Sequence, residues 1–192
     1  GYPEKANLCW DANELSLTLI WQDRFIDAAK HWVGRGPGNQ TPLGGSTMTL
    51  EKSSPVAVLK SPDADWPAES PRERGYKFLG YRLNDKGQPT FRYRTPWASV
   101  EDQPVPVVRD GIGMFRREIV ITPLAGVKLA GKIYFRAAVG KVEKAEKGFV
   151  MDDSITVQIA GGSEPILRES GGKTELLVPI DGPTTILQDL NW

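Results

Sequence analysis

Short runs of β-branched and aromatic residues recur along this chain about every ten residues, separated by turn-forming residues. That rhythm constrains the fold more than any other feature, because it is the mark of an all-β sandwich or barrel. The 20 glycines and 15 prolines fall mostly between the runs. Strands are predicted at 6–10, 14–21, 47–50, 56–59, 77–83, 89–93, 98–101, 106–109, 114–122, 131–139, 148–151, 154–160, 166–170, 174–179 and 184–191. Helix is scarce: 23–33 has room for one or two turns, and 142–147 reads as a charged turn or short helix. The expectation is an all-β fold, an antiparallel β-sandwich with long loops and very little helix, a large two-sheet supersandwich being one form of it. A single domain over 1–192 accommodates the pattern, and two packed β halves dividing near 104–113 are the alternative.

Two strand pairs stand out. Tyr76-Lys-Phe-Leu-Gly-Tyr-Arg-Leu83 turns through Asn84-Asp-Lys-Gly87 and returns as Pro89-Thr-Phe-Arg-Tyr-Arg94. Asn and Asp open such turns by bonding their own backbone, and Gly supplies the positive φ. Alternation places Phe91 and Tyr93 on one face and Thr90, Arg92 and Arg94 on the other. A second hairpin is expected from 114–122 and 131–139 through the connection 124–130, forming core. The stretch 53–74 reads as a long excursion around Trp66 with one short strand.

Composition excludes several classes. Lys plus Arg and Asp plus Glu number 24 each, so the basic excess that accompanies nucleic-acid or anionic-membrane binding is missing. No apolar run approaches the roughly 20 residues of a membrane span. The opening Gly1-Tyr-Pro-Glu-Lys has no signal-peptide pattern and no initiator methionine, so a segment of a longer protein is expected. Cys9 is the lone cysteine, which rules out an internal disulfide, a cysteine-rich zinc site and a Cys-x-x-Cys-His attachment for c-type haem. It is expected to pack as a small hydrophobe.

Residues capable of chemistry are sparse. His31 is the only histidine, so no Ser-His-Asp, Cys-His or multi-histidine metal site is expected from this chain alone. It reads as a loop histidine against Trp32 and Asp27, or as a b-type haem ligand or general base. A b-haem would need a second ligand such as Met48, Met114, Met151 or a lysine, and the spacing selects none. Asp152-Asp153 reads as a polar turn. Glu101-Asp102 does not make a catalytic pair, because adjacent strand residues point to opposite faces. Asp63 and Asp65 in Asp-x-Asp spacing are the calcium candidates. Trp21, Trp32, Trp66, Trp97 and Tyr81 lie at loops and strand ends, where they serve either as core or as stacking surfaces for sugars. Gly34–Gly38 and Gly161-Gly162 precede no helix pattern and read as turns rather than phosphate cradles.

The ordered set Gly1-Tyr-Pro, Asn7-Leu-Cys-Trp-Asp11, Leu19-Ile-Trp-Gln-Asp-Arg-Phe-Ile-Asp-Ala28, Trp32-Val-Gly-Arg-Gly36 and Leu43-Gly44, with Gly75-Tyr-Lys-Phe-Leu-Gly-Tyr-Arg-Leu83 and Gly87-Gln-Pro-Thr-Phe-Arg-Tyr93, follows one pattern. It resembles the β-rich domain that accompanies c-type cytochrome modules in large secreted proteins of planctomycetes and related bacteria. The likeness covers the first hundred or so residues. It implies an extracytoplasmic (periplasmic or secreted) domain associated with electron transfer, whose c-type haem sits in an adjoining module or partner. Trp21, Phe25, Asp27, Trp32 and Arg35 carry over as family-shaping residues.

Three functions follow as expectations. The first is a non-catalytic domain that docks a c-type cytochrome module or subunit, with polysaccharide as a further partner, and without nucleic acid or a membrane span. The second is a carbohydrate-active enzyme using cleft carboxylates near Asp27 and Glu101. The third is a b-haem electron-transfer domain with His31 as ligand. The ligand or docking candidates are Asp27, His31, Trp32, Arg35, Trp66, Tyr81 and Trp97.

Overall fold

The computed structural model describes residues 1–29, 40–109 and 112–192. Among these residues fifteen strands make three antiparallel sheets. The first sheet is formed by β1 (Ala6–Asp11), β2 (Ser16–Gln22) and β3 (Gly45–Thr49), in that order. Four strands form the second: β4 (Val56–Leu59), β9 (Lys132–Gly140), β13 (Ile166–Ser170) and β14 (Lys173–Ile180), ordered β13-β14-β9-β4. The third contains β5 (Lys77–Leu83), β6 (Pro89–Arg94), β7 (Ala98–Arg109), β8 (Ile112–Pro123), β10 (Val142–Ala145), β11 (Gly148–Met151), β12 (Ile155–Ala160) and β15 (Thr184–Asn191). Its order is β10-β11-β12-β15-β8-β7-β6-β5. The chain is thus an all-β antiparallel sandwich. Among the described residues no helix is long and apolar enough to cross a membrane.

Alternation builds the core between the layers. Phe115, Ile119 and Ile121 share one face of β8 and meet Leu17 and Ile20 of the three-stranded sheet and Phe135, Leu176 and Val178 of the four-stranded one in a single buried cluster. Each such side chain contributes about 1.5–3 kcal/mol on leaving water, so this cluster is the main source of stability. A smaller cluster lies on the outer face of the four-stranded sheet. There Ala57, Leu59, Tyr134 and Leu177 are covered by Ala64 and Trp66 of the segment that follows β4.

The β5–β6 hairpin forms as the sequence indicates. Asn84 Oδ1 accepts the amides of Lys86 at 3.0 Å and Gln88 at 2.9 Å, and Gly87 takes φ +71°. Four expectations need correction. The stretches 98–101 and 106–109 are one 12-residue strand, β7, running straight through Pro104 and Pro106. Pairing with β6 ends at Asp102 while pairing with β8 continues, so both prolines, which share one parity, can sit with their donorless nitrogens at an unpaired edge. The segment 142–147 contains strand β10, paired with β11 from Val142↔Met151 to Ala145↔Gly148. The segments 114–122 and 131–139 are not a hairpin: β8 and β9 lie in opposite layers, and their connection crosses the sandwich. Both strands are core, as expected, and face each other through Ile119, Ile121, Ile133 and Phe135. Finally, Cys9 is exposed rather than packed. Ala6, Leu8 and Trp10 contact the core, which turns the intervening Cys9 outward.

Candidate functional site

The loop that opens after β2 is anchored at its neck. Trp21 is buried, stacks on Phe25 with ring centroids 5.7 Å apart, and donates its indole N–H to the carbonyls of Arg24 (3.0 Å) and Phe25 (3.2 Å). An Ile26↔Pro42 bridge closes the neck. Asp27 is half-buried and accepts the Ala29 amide at 3.1 Å. His31, Trp32 and Arg35 lie outside the described residues, as does most of the segment 23–33 beyond this point.

The remaining candidates are dispersed. Trp66 is half-buried, donates to the Ser54 carbonyl at 3.3 Å, and carries the Arg136 guanidinium 4.4 Å above its ring. Trp97 is half-buried and meets Tyr76 edge to face at 5.9 Å. Asp63 and Asp65 are exposed, Asp65 accepting from Ser170 at 3.4 Å. Among the described residues no three of His, Cys, Asp and Glu come together as a metal-binding group. Asp152 and Asp153 form a turn with φ of 51° and 56°, tied to the Lys141 amide and ammonium. Met114 and Met151 are buried, and Met48 is half-buried.

Glu101 and Asp102 point to opposite faces of β7. Glu101 is held between Arg82 (2.9 Å) and Arg92 (3.3 Å) on the surface. Asp102 is buried and accepts from Arg117 Nη2 at 2.7 Å and from the Trp10 indole at 3.0 Å. Asp27 belongs to the loop after β2, so the structure does not assemble Asp27 and Glu101 from one element or one sheet.

Tyr81 alone of the described aromatic candidates presents most of its ring to solvent, at 60% exposure. Its surroundings form a surface that the sequence reading missed. In the β5–β6 ladder Phe78 opposes Tyr93, Tyr81 opposes Phe91 and Leu83 opposes Pro89. Tyr93 is core, so this is the inner face of the eight-stranded sheet. Trp10 of β1 lies flat on Phe91, with centroids 4.5 Å and planes 5° apart, and it also reaches Phe78 at 5.3 Å. Beyond Trp10 no strand among the described residues lies over the inner face. Tyr81 and Leu83 are each 60% exposed there and form a shelf. A hollow of about 260 Å³ lies between the shelf and the N-terminal segment, lined by Tyr2, Leu8, Tyr81, Leu83, Pro89 and Phe91. The signal was present in the alternation of Tyr81, Arg82 and Leu83, which gives β5 an apolar face. What the sequence did not carry is that β5 is an edge strand extending past its cover.

The hairpin is also basic. From Lys77 to Arg94 it contains Lys77, Arg82, Lys86, Arg92 and Arg94 against Asp85, in a chain of zero formal net charge. Alternation puts Arg82, Arg92 and Arg94 on the outer face of the hairpin, opposite the shelf, where Glu101 pairs with Arg82 and Arg92, so the shelf itself offers apolar area to a partner protein.

The fold and surface define an antiparallel β-sandwich with an uncovered apolar end. No family model, curated protein or solved structure matches the chain.

Proposed function

We propose that this chain is a non-catalytic β-sandwich module that docks a partner protein through the shelf of Tyr81 and Leu83. The observation that carries the reading is the overhang itself: an edge strand whose core-side face leaves Tyr81 and Leu83 exposed, with no opposing layer among the described residues. Isolated exposed apolar residues are ordinary, but a contiguous set continuous with the core and flanked by a hollow favours association. The resemblance supplies the partner class, a c-type cytochrome module, and with it an extracytoplasmic setting.

The test is surface plasmon resonance of the immobilised chain against the c-type haem module encoded nearest to it. Binding that falls at least tenfold in a Tyr81→Ser, Leu83→Ser double variant is the expected result. Equal binding by the variant would move docking away from this shelf. Failure of the unaltered chain to bind would remove the cytochrome as partner.

A glycan-binding reading has one specific support, the exposed ring of Tyr81. Polysaccharide affinity electrophoresis separates the two, since retention abolished by Tyr81→Ala but preserved in Leu83→Ser is the pattern of ring stacking on sugar.

A further inference from the structure

A second site lies inside the sandwich, at the seam where β2 of the three-stranded sheet meets β9 of the four-stranded sheet. A cavity of about 60 Å³ is found there, lined by Ser16, Ser53, Arg117, Arg136 and Gln188 among others. A void holds one water in roughly 10–15 Å³ of such volume, so this one accommodates a few waters or one small ion. It is far below the roughly 300 Å³ at which drug-sized ligands begin to fit. Leu50, Glu51, Val139 and Met151 are shared with a surface groove of about 510 Å³, which provides a route in from solvent past Lys52 and Lys173.

Three observations give the cavity its chemistry. First, Ser16 is 4% exposed, lines the cavity, and its Oγ is the buried side-chain polar atom without a hydrogen-bond partner among the described residues. Second, the other polar groups are committed in a way that leaves donors over. Gln188 Oε1 accepts from Arg117 at 2.6 Å and Gln188 Nε2 donates to the Ala137 carbonyl at 2.6 Å. Arg117 uses Nε and Nη2 on Asp102 and Nη1 on Gln188, and Arg136 uses Nη1 on Glu175 and Nη2 on Ser53. Each guanidinium has five N–H groups, so both retain unused ones.

Third, the buried charges around the cavity are positive on balance. Arg117 is balanced by Asp102, but Glu175 serves both Arg136 and Arg168, so among the described residues three buried arginines stand against two buried carboxylates, Arg168 lying outside the cavity lining. Glu51, at the mouth, is already paired with Lys173 at 3.0 Å. Desolvation holds the Arg136 pKa below its ordinary value, with Glu175 and Glu51 opposing it and the Arg168 charge adding to it. A lining whose uncommitted groups are a hydroxyl and the spare N–H groups of two guanidiniums selects a guest that only accepts.

We propose that this cavity binds one small monovalent anion, a carboxylate of formate size, with the Ser16 hydroxyl donating to it and Arg117 and Arg136 supplying the charge. The site does not depend on the docking shelf and stands or falls separately from it.

The probe is sodium formate, with sodium gluconate at equal ionic strength as an anion too large for the cavity. Thermal unfolding of the whole chain should rise by several degrees in 50 mM formate relative to gluconate. Ser16→Ala removes a hydroxyl that has no protein partner, so it should leave the gluconate midpoint unchanged and lose most of the formate increment. Equal midpoints in the two salts would overturn the proposal, and so would a formate increment that survives Ser16→Ala. Anomalous scattering from bromide-soaked crystals gives a reading that needs no variant. A bromide peak beside Ser16, Arg117 and Arg136 is expected, and water alone at that position would refute the site.

Discussion

Arg117 and Asp102 form a two-pronged ion pair inside the sandwich, Nε to Oδ1 at 3.2 Å and Nη2 to Oδ2 at 2.7 Å, with side chains 7% and 2% exposed. The pair joins β8 to β7, and the Trp10 indole extends it to the three-stranded sheet. Gln188 carries it through β15 to the Ala137 carbonyl of β9. One polar chain therefore ties all three sheets across a largely apolar core, which fixes their relative register more narrowly than close-packed hydrocarbon would.

Breaking that pair from one side should cost more than removing it whole. Asp102→Ala leaves a buried guanidinium without its counter-charge and is expected to destabilise by about 3–5 kcal/mol in urea titration. Asp102→Leu combined with Arg117→Met removes both charges and should fall within about 1 kcal/mol of the parent or exceed it. If the double variant were as unstable as the single one, the cost would lie in shape rather than in the orphaned charge.

The second buried cluster ranks its variants by charge count. Glu175 accepts from Arg136 Nη1 at 2.7 Å and from Arg168 Nε at 2.9 Å, and Arg168 also donates to the Pro62 carbonyl at 2.6 Å and to that of Ala64. Glu175→Gln strands two guanidiniums and should lose about 3–5 kcal/mol. Arg168→Met leaves a balanced Arg136–Glu175 pair and should lose less, about 1–3 kcal/mol. Its distinguishing mark is faster amide exchange confined to residues 60–66, because the loop carbonyls lose their tether. Exchange that quickens evenly along β9 and β14 would contradict that role.

Much of this was legible in the period-two pattern, and the failures have identifiable causes. Arg117 has the parity of Phe115, Ile119 and Ile121, Asp102 that of Ala98 and Val100, and Gln188 that of Ile186 and Leu190. A polar residue at core parity on three strands is a readable sign of a buried polar network. The strand positions and the β5–β6 turn were readable for the same local reasons. The layer assignment of β8 and β9 was not, because an eight-residue connection serves a hairpin or a crossing of the sandwich equally well. The Arg136 cluster was hidden by the irregular register between Leu176 and Leu177, which disturbs the parity count. The docking shelf depends on which strand ends the large sheet, a property of long-range pairing that no local pattern encodes.

Close backbone approach sets a different limit at Gly131. A Cβ there would stand 2.1 Å from the Leu59 carbonyl oxygen and 2.6 Å from its carbon, both in the backbone of β4 where it enters the β4–β9 ladder. Neither atom can move without parting the strands, so Gly131→Ala should destabilise by about 1–3 kcal/mol. Gly182 is the control, with nothing within 4 Å of its would-be Cβ. Gly182→Ala should be neutral or stabilising by up to about 1 kcal/mol through the unfolded chain. Equal urea midpoints for the two variants would show that β4 yields more readily than its pairing indicates.

Alkaline conditions should unfold the chain through its tyrosines. Burial pushes the Tyr76 phenol up to about 12, with Arg74 opposing it. Burial also raises Tyr93 well above its ordinary value, with the Asp102 charge adding to the effect, and raises Tyr2 by the same two causes in the same order. Each group holds its proton more tightly folded than unfolded. Below pH 10, where unfolded tyrosine is still protonated, their contribution is fully present. Above it the unfolded state loses protons that the folded state keeps, so stability falls as pH rises through the interval from 10 to 12. Three groups at about 1.36 kcal/mol per pH unit each give a slope near 4 kcal/mol per unit at its steepest. Tyr76→Phe removes one titrating group, and the slope of urea-derived stability against pH should drop by about a third, although the lost bond to the Val56 carbonyl lowers the whole curve. Phenolate absorbance at 295 nm should rise together with the loss of tryptophan burial. Phenolate formed by Tyr76 and Tyr93 ahead of unfolding would mean that water reaches them in the folded state.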